Sequence, residues 1–102
     1  MSVQHINKDN YDSIVSGDKT VLIDFFADWC GPCRMMSPVV EAIAGEREDI
    51  VVGKINVDEE PELAGKFGVM SIPTLVVMKN GEVVNRVTGA RPKAQVLALL
   101  ED

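Results

Sequence analysis

Seven consecutive residues, Val21-Leu22-Ile23-Asp24-Phe25-Phe26-Ala27, hold a single polar side chain between them. A strand with one face in water alternates apolar and polar residues. This run is apolar at both parities and rich in branched and aromatic side chains, the pattern of a central strand covered on both faces. Covering both faces takes helices on either side of a sheet, so the segment points to a layered α/β architecture.

The rest of the chain supplies the layers. Val3–Ile6 reads as a short, weak strand. Asn7 is placed to cap a helix that reaches Val15 and ends at Gly17. After the central run, a helix is expected over Cys33–Arg47, where Met36, Val39, Val40 and Ile43 recur at three and four. Pro38 lies inside it and is expected to kink it. Ile50–Val57 reads as a second long strand. Asp58 is then expected to cap a short helix, Glu59–Phe67, with Pro61 in its first turn and Gly68 at its exit. Thr74–Lys79 and Glu82–Thr88 flank Asn80-Gly81, the strongest local signature of a two-residue hairpin. Pro92 opens a last helix that turns Val96, Leu97 and Leu100 inward.

The order is therefore βαβαβαββα: parallel crossovers first, then an antiparallel hairpin and a helix. It predicts a mixed five-stranded sheet with four helices distributed over both faces. A length of 102 residues, with no repeat, low-complexity stretch or linker, predicts one domain over residues 1–102.

Composition removes several functions. Ten basic against sixteen acidic residues leave a formal charge of −6, the wrong sign for gripping nucleic acid or an anionic membrane. No apolar run approaches the roughly 20 residues of a membrane span. The start, Met1-Ser2-Val3-Gln4-His5, lacks a secretory pattern, so a cytoplasmic location is expected.

Two cysteines occur, Cys30 and Cys33. A bridge between them would remove roughly 2 kcal/mol or less of unfolded-state entropy, which makes it a poor staple. Their position is more telling. They sit where the central strand hands over to the longest helix, at the carboxyl edge of the sheet where sites in such folds collect. Cys30 falls at or just before the first helical turn, whose unpaired N–H groups and positive dipole end favour a thiolate, and Arg34 could add charge. Cys33, in the first turn, is expected to be the more buried of the two. The i, i+3 spacing brings the sulfurs together, with Gly31 permitting the turn and Pro32 stiffening it. Such a pair can attack a disulfide through Cys30 and release the product through Cys33. A zinc site is the bland alternative. It wants four ligands, and the chain holds no third cysteine and one histidine, His5, near its start. No metal is expected.

With Trp29-Cys30-Gly31-Pro32-Cys33 in place, the sequence closely resembles the thioredoxin family. The likeness extends through Asp24-Phe25, Pro38, Lys54, Ile72-Pro73-Thr74, Lys79-Asn80-Gly81-Glu82 and Gly89, nearly the whole chain. Phe26 departs from the second tryptophan common in that family, and Arg34 from its usual lysine. Neither change removes a reacting group. The resemblance implies the thioredoxin fold in three α/β/α layers and a general protein disulfide reductase without a cofactor of its own. It also implies oxidised client proteins, a flavoprotein reductase drawing on NADPH, and a monomer.

The remaining residues divide between chemistry and binding. Asp24 is either an edge residue or a buried carboxyl with a raised pKa, and apolar neighbours at both parities favour burial. Burial beneath the dithiol would let it accept the Cys33 proton, the role the resemblance also assigns. Lys54 is an exposed lysine by default, and the resemblance pairs it with Asp24. Pro73 is an ordinary proline at the start of a strand from sequence alone, and the resemblance makes its peptide bond cis and places it against the dithiol. Trp29, Gly31, Pro32, Val69, Met70, Ile72, Gly89 and Ala90 could form an apolar patch around Cys30 suited to varied partners, the lesser alternative being that Val69 and Met70 are merely core. His5, Tyr11 and Asp58–Glu62 read as surface or capping residues. Two rivals stand beside the reductase. One is a disulfide oxidase or isomerase, against which Gly31-Pro32 and the missing signal sequence both weigh. The other is a binding module in which the thiols are incidental.

Overall fold

A computed structural model of the chain describes residues 2–101, so Met1 and Asp102, the outermost positions of the expected domain, lie outside the described residues. Its elements are β1 (Gln4–His5), α1 (Tyr11–Val15), β2 (Thr20–Phe26), α2 (Gly31–Glu46), β3 (Ile50–Asn56), α3 (Pro61–Lys66), β4 (Thr74–Lys79), β5 (Glu82–Thr88) and α4 (Lys93–Leu100). The sheet order is β1-β3-β2-β4-β5, with β1, β3 and β2 parallel and β2, β4 and β5 antiparallel. This is the mixed five-stranded sheet with four helices that the pattern of elements predicts.

The doubly apolar run is accounted for by two cores. Odd positions of β2 (Val21, Ile23, Phe25) pack with Tyr11, Val15, Leu63 and Phe67 of the α1/α3 layer. Leu22, at even parity, packs with Met36, Val40, Ile43, Val96 and Leu100 of the α2/α4 layer. Leu22, Ile23 and Phe25 have no solvent exposure. Asp24 shares Leu22's parity and so faces the α2 side, beyond the end of that apolar core.

Several boundaries depart from expectation for local physical reasons. Asn7 is not the N-cap of α1, a position held by Asn10; its Oδ1 accepts from the Asp9 and Asn10 amides in the turn before the helix. The turn it holds is irregular, however, and α1 begins only at Tyr11. The helix exits through Ser16 in right-handed conformation, so Gly17 is not used as a left-handed stop. Helix α2 starts two residues earlier than expected, at Gly31, and runs uninterrupted through Pro38. Asp58 does not cap α3. Glu60 holds the N-cap position without a side-chain bond, and the Asp58 carboxylate is engaged elsewhere. Tyr11 is buried, not surface, and meets Phe67 edge-on at 5.9 Å. The hairpin forms as expected, with Asn80 (φ 54°) and Gly81 (φ 79°) both in the left-handed region that a type I′ turn needs.

Among the glycines, Gly53 leaves the least room for a side chain. A Cβ there would lie 2.4 Å from Ile6 Cδ1, 2.9 Å from Ile6 Cγ1 and 3.3 Å from the Gln4 carbonyl. Gly53→Ala is therefore expected to displace the buried Ile6 side chain and cost about 1–3 kcal/mol, read as a lower urea midpoint at unchanged slope.

Candidate functional site

Strand β2 ends at Phe26, and after three intervening residues the chain turns into α2 with Cys30 in the N-cap position. Cys30 has extended backbone (φ −93°, ψ 111°), and its Sγ accepts the Cys33 amide proton at 3.2 Å. That is the geometry by which a side-chain acceptor satisfies an orphan donor of the first turn, with sulfur in place of the usual oxygen. Pro32 occupies the first turn, where its missing N–H costs nothing. The two sulfurs are joined as a disulfide with Cα atoms 5.3 Å apart. The expected difference in burial is not found: Cys30 is 5% and Cys33 4% exposed. Cys30 packs under the loop that precedes β4, its Sγ 3.9 Å from the Ile72 carbonyl oxygen. Arg34 shares a cleft lining with Cys33, and its guanidinium donates to the Asp28 carbonyl at 3.0 Å.

The Ile72–Pro73 peptide is cis, and Pro73 is buried. The loop before it is tied down from both sides. Thr74 Oγ1 donates to the Ser71 carbonyl at 2.6 Å, and the Gly89 amide donates to the Pro73 carbonyl at 2.8 Å. Arg86 reaches across from β5 to the carbonyls of Phe67 and Gly68, where α3 ends. Gly89 takes φ 98°, a conformation that favours glycine.

Asp24 is 3% exposed, and its Oδ1 meets no donor among the described residues. Burial drives its pKa up from 3.8 to about 7, against the opposing pull of the Lys54 charge. Lys54 stands directly opposite Asp24 in the parallel β2–β3 register, with its Nζ 5.3 Å from the centre of the Phe26 ring. Asp24, Lys54 and Cys33 line one cleft of about 220 Å³, together with Ser37 and Glu41 of α2. The buried carboxyl thus shares a cleft with Cys33.

On the other side of the disulfide, Trp29, Val57, Val69, Met70, Ser71 and Ile72 line a groove of about 390 Å³. Trp29 is 68% and Met70 94% exposed, so Met70 is not core. The Trp29 indole N–H donates to Asp58 Oδ2 at 2.8 Å, which fixes the ring over the groove. Gly31, Pro32 and Ala90 are exposed, and Gly89 is half-buried beside Pro73, all outside that groove's lining. Sequence reasoning missed Asp58, Val57 and Ser71. Only Asp58 left a trace, as a carboxylate two residues past a strand whose capping role went unfilled.

The comparisons with known proteins agree with this geometry. A family model described as Thioredoxin matches residues 2–102. The thioredoxin of Alicyclobacillus acidocaldarius subsp. acidocaldarius is 51% identical over 94 residues, covering 91% of this chain and 90% of that protein. The thioredoxin of Mycobacterium tuberculosis H37Rv is 51% identical over 90 residues, covering 87% and 78%. Among solved structures, a mutant thioredoxin from Halobacterium salinarum NRC-1 superposes with a TM-score of 0.91 at 42% identity, covering 98% of this chain and 88% of the other. A Malassezia sympodialis thioredoxin gives 0.86 at 40%, covering 98% and 90%. A family match over almost the full chain, with a bonded Cys-Gly-Pro-Cys pair at the strand-to-helix turn, places the chain in the thioredoxin family, whose thiol–disulfide oxidoreductases reduce protein disulfides by reversible dithiol exchange.

Proposed function

We propose that Cys30 is the attacking thiol and Cys33 the resolving thiol of a general protein disulfide reductase, working as one domain over residues 1–102. In the reduced protein the Cys30 thiolate displaces one sulfur of a client disulfide, forming a mixed disulfide and releasing the first client thiolate. Cys33 then gives its proton to the Asp24 carboxylate and attacks Cys30 Sγ, which expels the second client thiolate. Two electrons pass to the client, and the Cys30–Cys33 disulfide remains. The observation that carries this assignment is the Cys33 amide aimed at Cys30 Sγ from the first turn of α2, a donor that serves a thiolate better than a thiol.

The other residues take supporting parts. Gly31 and Pro32 shape the turn, and Lys54 modulates Asp24 by its charge. Trp29, Met70 and Ile72 hold the client chain, with Pro73, Gly89 and Ala90 beside it. The half-buried Ile72, in the groove next to Pro73, suits backbone pairing with an extended segment. A flavoprotein reductase drawing on NADPH restores the dithiol, and the protein works as a monomer in the cytoplasm.

The test uses Cys33→Ser. That variant keeps the nucleophile but cannot resolve, so it is expected to accumulate a covalent adduct with an oxidised client such as insulin, released by dithiothreitol. Cys30→Ser should form none. An adduct through Cys33 in preference to Cys30 would reverse the assignment.

A further inference from the structure

Sulfur chemistry at this site extends past the two cysteines. Met70 is 94% exposed and stands in the groove formed with Trp29, Val69 and Ile72. Two other methionines are shut away: Met36 is 1% and Met78 3% exposed, and the Met36 sulfur accepts the Arg91 amide. Met35 is 69% exposed but lies outside the groove. One thioether among the described residues is therefore both open to solvent and part of the surface beside the disulfide.

We propose that Met70 is a peroxide-sensitive modification site whose oxidation to the sulfoxide weakens client docking and leaves the dithiol chemistry intact. The inference rests on the reading of the groove as the client surface. Hydrogen peroxide is the oxidant. Its O–O bond breaks, one oxygen bonds to the Met70 sulfur, which gives up two electrons, and the other oxygen leaves as water with both protons. A thioether needs no ionisation to react, so this step is open to the disulfide form, in which neither cysteine offers a thiolate. The product replaces a flexible, polarisable apolar contact with a strong hydrogen-bond acceptor that must shed water when a client covers it.

The full-length protein in its disulfide form is treated with hydrogen peroxide, quenched, and mapped by peptide mass. It is then assayed with insulin in dithiothreitol and, after reduction and removal of the reductant, in a single turnover with the small disulfide 5,5′-dithiobis(2-nitrobenzoate). Met70 should gain one oxygen while Met36 and Met78 gain none. KM for insulin should rise about threefold to tenfold, the effect of losing one well-placed apolar contact. The small disulfide, which has no flanking chain to seat, should react at an unchanged rate. Met35→Leu should respond to peroxide as the native protein does, whereas Met70→Leu, whatever its own KM, should show no further rise. An unchanged KM once Met70 is fully converted, or an equal response from Met70→Leu, overturns the proposal while Cys30-dependent turnover stands. Untreated protein that reduces insulin without Cys30 would instead defeat the reading of the site, and this proposal with it.

Discussion

Cys30→Ser is expected to lower dithiothreitol-coupled reduction of client disulfides by at least about a thousandfold, down to the uncatalysed background. A serine hydroxyl at the same N-cap would still accept the Cys33 amide, and serine is a preferred capping residue, so α2 should keep its first turn. The lost disulfide closes so short a ring that its removal costs about 2 kcal/mol or less. The variant should therefore fold with native far-UV circular dichroism and only a modestly lower urea midpoint. That contrast separates a chemical role from a structural one. A variant that reduced insulin at more than a tenth of the native rate would show that Cys33, or some other group, can initiate attack. A variant that failed to fold would show that the bridge is a staple after all.

The fold was largely legible in the sequence because its strongest signals are local or periodic. The doubly apolar run of β2, the Asn80-Gly81 turn and the inward spacing of Met36, Val40 and Ile43 each name an element without reference to the rest of the chain. What could not be read depended on partners distant in sequence. Asp58 looks like a helix cap because that is what an aspartate before a proline-initiated helix usually does. Its actual partner is the Trp29 indole, 29 residues upstream. Arg34 reads as a positive charge beside the dithiol, and nothing in its spacing announces that the Asp28 carbonyl is what anchors its guanidinium. Tyr11 reads as surface, and only the packing of α1 against α3 explains why its ring is buried on Phe67.

The site shows the same division. The cysteines and their place at the strand-to-helix turn follow from spacing and from the order of elements. The burial of Asp24 follows from its apolar neighbours at both parities, but the Lys54 that faces it depends on β3 lying beside β2 in a register the residues alone do not announce. The groove is less legible still. Trp29 and Val57 reach it from the ends of two strands, and Val69 to Ile72 from a loop held by Arg86 and Thr74. The sequence spacing of those residues carries no common period that could announce a shared surface.

Asp24→Asn should make the protein more stable and a poorer reductase, with both effects governed by pH. In the unfolded chain the Asp24 carboxyl ionises near 3.8, and in the folded protein burial delays this to about 7. Between those values the folded state holds a proton that the unfolded state has lost, so stability falls as pH rises and levels off above about 7. The full interval is worth about 4 kcal/mol, and the part between pH 5 and pH 9 about 3 kcal/mol. Asparagine has nearly the same shape and no charge to bury. Urea unfolding of Asp24→Asn should lack that decline and exceed the native protein by about 2–4 kcal/mol at pH 9, less whatever its unpaired amide costs. The catalytic effect has the opposite sign. A proton acceptor for Cys33 must be ionised, so native resolution of the mixed disulfide should slow as pH falls through about 7, and in the variant that limb should disappear with the rate low throughout. Stopped-flow release of a mixed-disulfide client, followed from pH 5 to pH 9 through the emission of Trp29, reads the second effect directly. Equal stability of the two proteins at pH 9 would mean that the carboxylate is solvated through the cleft it shares with Cys33, and the raised pKa would lose its cause. A stabilised variant with an unchanged pH profile for resolution would leave Asp24 as a buried charge with no part in proton transfer.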